Sequence, residues 1–293
     1  GSDIRLKTLV KNELKSTALD YGDTRRSPLQ ERSEAQAFSE KDLLTAEPIT
    51  VVLSDKGWIR AAKGHDIDPI TLNYKSGDKF LASALGRSNQ NVFLQDSTGR
   101  YYSLAGHTLA SARGQGEPAT GRLNMPSGAF FTDVLMGADE QKVLMSSDAG
   151  YGFITTVGSL FTKNKAGKAV VSIPTGGRIL NPKLVHDTNA QIAAVSNEGR
   201  MLVFPIADIP QLARGKGNKI INIPSSRLQS REEYVVDYAV VAEGEALVVH
   251  SGKRYLVMKP KDLAHYCGER GRRGHKLPRG FQKVDRLDVD SGT

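Results

Sequence analysis

One cysteine, Cys267, stands in 293 residues. An intrachain disulfide is therefore excluded, and a reducing compartment suits the chain. No apolar run approaches the roughly 18 residues that a membrane-crossing helix needs, and no secretory leader is recognisable. A soluble intracellular protein is expected. The six histidines, His65, His107, His186, His250, His265 and His275, show no metal-ligand spacing, so no metal centre is expected. No acid/base constellation is visible either, which argues against a complete enzyme.

Positive charge and a usable core are present. The hydrophobic fraction is 39%, and 40 Lys and Arg face 32 acids, for a net charge of +8. That balance favours a polyanionic partner, either nucleic acid or an anionic membrane surface. Gly1-Ser2 reads as the scar of a cleaved tag. Residues 3–46 read as a helical segment and linker. Leu6, Leu9, Val10, Leu14 and Thr17 recur at helical spacing up to about residue 20. A second short helix is expected over 30–44, with Ser33 and Ser39 as caps. Beyond Pro48 the helical period vanishes, and Val, Ile, Leu, Phe and Tyr cluster in short runs between turn residues, the pattern of an all-β domain over 47–293.

Repetition decides the architecture. An apolar strand, a turn with glycine and a second apolar or aromatic strand recur five times. The turn glycines are Gly57, Gly99, Gly150, Gly199 and Gly252, spaced by 42, 51, 49 and 53 residues. Asp, Asn or Ser stands in each turn ahead of the glycine, as a positive φ favours. Between the hairpins lies a further strand, expected at Gly77–Ser83, Ser127–Leu135, Gly176–Leu180, Tyr234–Val241 and Gly280–Leu287. One such unit cannot bury its own faces, whereas five set radially can. The expected fold is all-β, a five-bladed propeller-like ring of about 50 residues per blade, preceded by a short helical segment.

Each hairpin is followed by a segment rich in glycine and positive charge. The first, 61–66, offers Lys63. The second, 111–117, offers Arg113. The third, 163–168, offers Lys163, Lys165 and Lys168, and the fourth, 213–219, offers Arg214, Lys216 and Lys219. The fifth, from 268, offers Arg270, Arg272, Arg273, Lys276 and Arg279. Equal spacing implies equivalent places, one per blade, along an arc. Glycine lets backbone approach an anion, and Lys and Arg bind phosphate oxygens. These residues are the candidate contacts to duplex backbone, with no base reading expected. Residues 268–283 carry six basic residues and one acid, so charge favours the last three blades. His65 and His275 could add weakly. No small-molecule ligand is expected.

At this point a family resemblance becomes legible. Tyr21-Gly-Asp-Thr-Arg-Arg-Ser27 resembles the segment that ends the breakage–reunion region of bacterial type IIA topoisomerase A subunits. Gly57-Trp-Ile-Arg-Ala-Ala-Lys-Gly-His-Asp66, Asp148-Ala-Gly-Tyr-Gly-Phe153, Gly215-Lys-Gly-Asn-Lys-Ile-Ile-Asn-Ile-Pro224 and Gly268-Glu-Arg-Gly-Arg-Arg-Gly274 resemble the C-terminal domains of ParC, the A subunit of bacterial DNA topoisomerase IV. The resemblance implies a β-pinwheel, in which neighbouring blades exchange strands, and double-stranded DNA binding on its outer rim. It further implies a parent in the bacterial cytoplasm at the nucleoid, peripheral to the membrane at most. That parent works with the ATPase subunit ParE and a chromosome-organising condensin in decatenation and chromosome segregation. ATP and Mg would be used by other domains, with no cofactor in this one. The related gyrase A domain has six blades and a Gln-Arg-Arg-Gly-Gly-Lys-Gly box in the first. Five blades and Ala-Ala-Lys-Gly-His-Asp argue for the topoisomerase IV side.

The family cleaves DNA with a tyrosine that follows an arginine, in an Arg-Tyr-Thr segment absent here. Tyr101 and Tyr102 follow Arg100 but are expected to pack inside a hairpin, as is Trp58. Lys253 and Arg254, after the fifth turn, would suit a protein partner if exposed, but a plain solvated turn is the preferred reading. The competing reading is a protein-interaction propeller of the WD40 type, against which the Gly-His and Trp-Asp signatures are missing.

Overall fold

The computed structural model describes residues 2–23 and 45–290, which belong to two compact units treated separately below. The helix expected over 30–44, and Thr24–Ser27 of the family segment, lie outside the described residues. Helix α1 (Asp3–Tyr21) follows the periodicity read from the sequence, with Asp3 in its first turn, where the helix dipole favours an acid. Its apolar stripe remains exposed, Leu6 at 61% and Leu14 at 66%.

The second unit is built from five hairpins: β1 (Pro48–Ser54) with β2 (Trp58–Lys63), β4 (Asn91–Asp96) with β5 (Arg100–Ala105), β8 (Lys142–Ser147) with β9 (Tyr151–Thr156), β12 (Gln191–Ser196) with β13 (Arg200–Pro205), and β16 (Ala246–Ser251) with β17 (Arg254–Met258). All five turn glycines have positive φ, from 59° at Gly252 to 84° at Gly99. Each hairpin gains an inner strand on its first member: β3 (Phe80–Arg87), β7 (Phe131–Leu135), β11 (Lys183–Val185), β15 (Val235–Val241) and β19 (Arg286–Asp290).

The outer edge is closed differently. Strands β6 (Glu117–Pro118), β10 (Lys168–Ala169), β14 (Asn218–Lys219) and β18 (His275–Lys276) are two residues each. Each leaves its own blade and pairs with the second hairpin strand of the preceding one, so that Ile59 faces Glu117, Tyr101 faces Lys168, Gly152 faces Asn218 and Met201 faces His275. Four sheets therefore have four strands, the last borrowed, and this exchange is the pinwheel arrangement.

Packing explains the continuous apolar runs. Alternate residues of a hairpin strand point to opposite faces, and both faces are covered by neighbouring blades. Val92, Leu94 and Tyr102 pack with Val51 and Leu53 of the first blade, whereas Phe93 and Tyr101 pack with Val143, Met145 and Phe153 of the third. Ile192 and Ala194 face the third blade, and Ala193 and Val195 face the fifth. All five inner strands line one axial cavity of about 780 Å³. Between neighbouring inner strands, Lys183 Nζ lies 2.9 Å from Asp237 Oδ1, and Asp237 Oδ2 accepts the Leu287 N–H at 3.0 Å, tying blades three, four and five.

Two sequence expectations need correction. The inner strand of blade three is not Gly176–Leu180, where only an isolated bridge from Ile179 to Ser147 forms, but β11, seven residues from Gly176. The last inner strand is β19, not Gly280–Leu287, because Pro278–Gly280 is spent on a turn closed by the Phe281 N–H on the Pro278 carbonyl at 3.1 Å. The fifth sheet has three strands among the described residues, in the order β17-β16-β19.

Candidate nucleic-acid interface

The basic segments are the crossings that carry the chain from one blade to the preceding blade's edge. Each crossing ends on a glycine directly before its two-residue strand: Gly116, Gly167, Gly217 and Gly274, with φ between 71° and 85°. A Cβ on Gly116 would lie 2.4 Å from the Ile59 carbonyl oxygen, one on Gly217 2.1 Å from that of Gly152, and one on Gly274 2.4 Å from that of Met201. The backbone closeness expected toward phosphate is here used between blades. Gly215 and Gly64 do face open space.

Four segments are equivalent in this way, and the first is not. Lys63 ends β2, opposite Ile49, and its ammonium pairs with Glu47 at 3.1 Å. Residues 61–63 are the end of β2, and no crossing to a neighbouring sheet is formed by 61–66. Lys63 is therefore not equivalent to the cations of the other four segments, although its segment lies beside the second: the Ala61 N–H donates to Ala110 O at 2.8 Å, and Ala61 O accepts the Ala112 N–H at 2.9 Å.

The four crossings are stitched to one another around the rim. The Asn124 N–H, just past the second, donates to Lys165 O in the third at 2.8 Å. Gly215 N–H in the fourth donates to Val170 O at 2.8 Å, and Ser172 N–H to Gly215 O at 2.9 Å. The fifth lies on the fourth: Gly271 N–H donates to Ile220 O at 2.7 Å, Asn222 N–H to Arg272 O at 2.9 Å, and the Arg270 guanidinium to Lys219 O at 2.7 Å. The result is one continuous strip of backbone studded with cations.

Those cations differ in freedom. Arg113, Lys163, Lys165, Arg214, Lys276 and Arg279 are exposed. Lys216 is also exposed, and its ammonium sits 4.5 Å over the Tyr151 ring. Lys168 Nζ donates to Ser159 O at 2.6 Å and Lys219 Nζ to Asn222 Oδ1 at 3.1 Å, so both point partly inward. In the most basic segment, Arg272 pairs with Glu269 at 2.8 Å and Arg273 with Glu233 at 2.7 Å. The +5 of residues 268–283 counts only Glu269 against these arginines and misses Glu233.

A solved structure of the E. coli ParC C-terminal domain is 49% identical to this chain, with a TM-score of 0.77, and the match covers 84% of this chain and 99% of that one. The chain belongs to the ParC C-terminal-domain family. Full-length relatives agree: the DNA topoisomerase 4 A subunit of Pseudomonas aeruginosa is 56% identical, and that of Escherichia coli K12 50% identical, each over 99% of this chain. The chain spans 39% of the length of either. The family described as DNA gyrase C-terminal domain, beta-propeller matches residues 141–186 and 190–241, which hold the hairpins and inner strands of blades three and four. A gyrase A C-terminal domain structure, 14% identical with a TM-score of 0.62, shares the fold.

Several residues of this ParC-family rim escaped the sequence reading. The Arg100 guanidinium holds the carbonyl of Ala166 at 3.1 Å, Arg200 that of Gly274 at 3.3 Å, and buried Arg60 that of Gly114 at 3.0 Å. Tyr151, at the same post as Arg100 and Arg200, lies under Lys216 and Lys219. For Arg100, Tyr151 and Arg200 the common signal was the position directly after the turn glycine, held by Trp58 in the first blade, whereas Arg60 lies two residues further along β2. Tyr101 and Tyr102 are fully buried, as expected. The Tyr102 hydroxyl donates to Asp96 at 2.8 Å, and burial, reinforced by carboxylates, pushes both hydroxyls above the ordinary tyrosine value. Neither is placed to attack a phosphodiester.

Proposed function

We propose that this chain is the DNA-guiding rim of a topoisomerase IV A subunit. It binds duplex backbone along the stitched crossings, through Arg113, Lys163, Lys165, Lys168, Arg214, Lys216, Lys219, Arg270, Arg272, Arg273, Lys276 and Arg279, with Lys63 outside that strip. The observation that carries the reading is the continuity of the strip: four basic crossings hydrogen-bonded in series on the outer edges of successive sheets. Exposed ammonium and guanidinium groups on fixed backbone suit phosphate oxygens, and the described residues of the strip are loops and two-residue strands, not a groove-reading helix, so sequence tolerance is expected. In the parent enzyme the rim steers the transported duplex and biases the choice among catenated and supercoiled substrates. Cleavage and ATP use belong to other domains of the parent and to ParE. The same reading includes nucleoid localisation and a condensin partner.

The test is a salt titration on two duplexes of unrelated sequence. Each phosphate neutralised contributes about 0.9 to the slope of log K against log salt. Steep and matching slopes are expected for both duplexes. A flat profile, or binding confined to one sequence, contradicts the proposal.

A further inference from the structure

Glu233 is fully buried between two arginines. Its Oε2 receives Arg273 at 2.7 Å and Arg227 at 3.0 Å, while its Oε1 has no hydrogen-bond partner. Arg273 belongs to the fifth crossing, and its guanidinium also reaches the Asn222 carbonyl at 3.5 Å, so a carboxylate and a carbonyl fix its plane. Arg227 comes from helix α2 (Ser225–Gln229), an insertion that precedes β15. The turn after it places Arg231 at φ 58°, where its guanidinium meets Asp148 at 2.6 Å and anchors the segment to blade three.

We infer that Glu233 is a positioning residue for DNA binding, which holds Arg273 as a fixed phosphate site on the fifth crossing; this rests on the proposed backbone binding. The charge count favours it. One buried carboxylate shared by two guanidinium groups leaves a net positive charge. Arg227 offsets Glu233, and the competing pull of Glu232 at 3.4 Å and Glu198 at 3.7 Å on Arg227 is weak, because these carboxylates are 62% and 38% exposed and screened by solvent. Arg273 therefore remains an effective cation with side-chain exposure of 31%. A guanidinium already held in place loses less conformational entropy on meeting a phosphate than a free one.

The prediction runs against bulk electrostatics. Glu233→Gln raises the net charge of a basic protein, and long-range attraction alone would tighten its grip on DNA. With Glu233 as the positioning group, affinity of the 293-residue chain for duplex DNA falls instead, roughly threefold, and the salt slope drops by about 1, the loss of one phosphate contact. Arg273→Gln should do the same, and the double variant should be no weaker than Arg273→Gln alone, because both changes remove one contact. Equal or tighter binding by Glu233→Gln with an unchanged slope overturns the inference. If that variant does not fold, Arg273→Lys decides: charge is kept but the fork is lost, so weaker binding supports the inference and unchanged binding overturns it. Failure of the unaltered chain to bind DNA in a salt-dependent way would refute the proposed function instead.

Discussion

At the residue scale, a single dihedral often does what a run of sequence cannot. Gly217 turns the fourth crossing onto β9 with φ 76°, and its α-carbon faces the Gly152 carbonyl so closely that a methyl group would sit 2.1 Å from that oxygen. Gly64 has φ 84° but nothing within 4 Å. Both prefer glycine for the backbone, yet only one is closed by packing. Gly64→Ala should cost about 1 kcal/mol, the strain of a left-handed alanine, whereas Gly217→Ala should cost well over that by forcing β14 off its partner. Chemical unfolding of the two variants checks this, and equal losses would mean that the seam yields easily. Turn glycines were readable because hairpin turns have a known preference. The crossing glycines were noticed but given to phosphate, since closeness to a strand some 60 residues away leaves no local mark.

At the scale of elements, the hairpins were legible and the borrowed strands were not. Runs such as Val92–Leu94 are apolar at every position because blades cover both faces, and glycine turns mark their ends. A strand of two residues has no periodicity, and Lys168–Ala169 or His275–Lys276 is assigned only by a partner in another blade. The same limit misled the count of equivalent loops. Regular spacing placed Lys63 with the others, but equivalence depends on a crossing to a neighbouring sheet, which a spacing does not encode.

The inner strands also carry a buried titration. Burial pushes the Asp133 carboxyl on β7 up to about 7, against the Val134 N–H and the Lys183 ammonium, which pull it down. A folded value above the unfolded value of 3.8 means that the contribution is fully present at low pH and is lost as pH rises through about 7. Asp133→Asn keeps the acceptor for Val134 and removes the titration. It should stabilise the blades at pH 8 by about 1 kcal/mol or more and give little gain below the unfolded value of 3.8, with the gain growing between that pH and about 7, measured by thermal unfolding across that range. A gain independent of pH would assign the effect to packing.

At the scale of the whole pinwheel, charge is distributed differently from the composition. The sequence grades the rim toward its last blade. Pairing discounts that end: Glu269 engages Arg272 and Glu233 holds Arg273 partly buried, its charge offset by Arg227, while Lys163, Lys165 and Arg214 in the middle stand exposed. The middle crossings are therefore expected to carry a larger share of backbone contact than their formal charge suggests. A duplex that follows several crossings must bend, and curving a short site by about 40–90° costs on the order of 1–6 kcal/mol, so contacts at several seams are needed to offset it.

The central claim is that the stitched crossings act together on one duplex, and affinity as a function of duplex length tests it most directly. Duplexes of about 10, 20 and 40 base pairs, one to four helical turns, would be titrated at fixed salt and again across salt. The account predicts that affinity, corrected for the number of sites, and salt slope both rise with length until the duplex spans the strip, then level off. The same affinity and slope at one helical turn as at four would contradict it, and would reduce the rim to a set of independent basic loops.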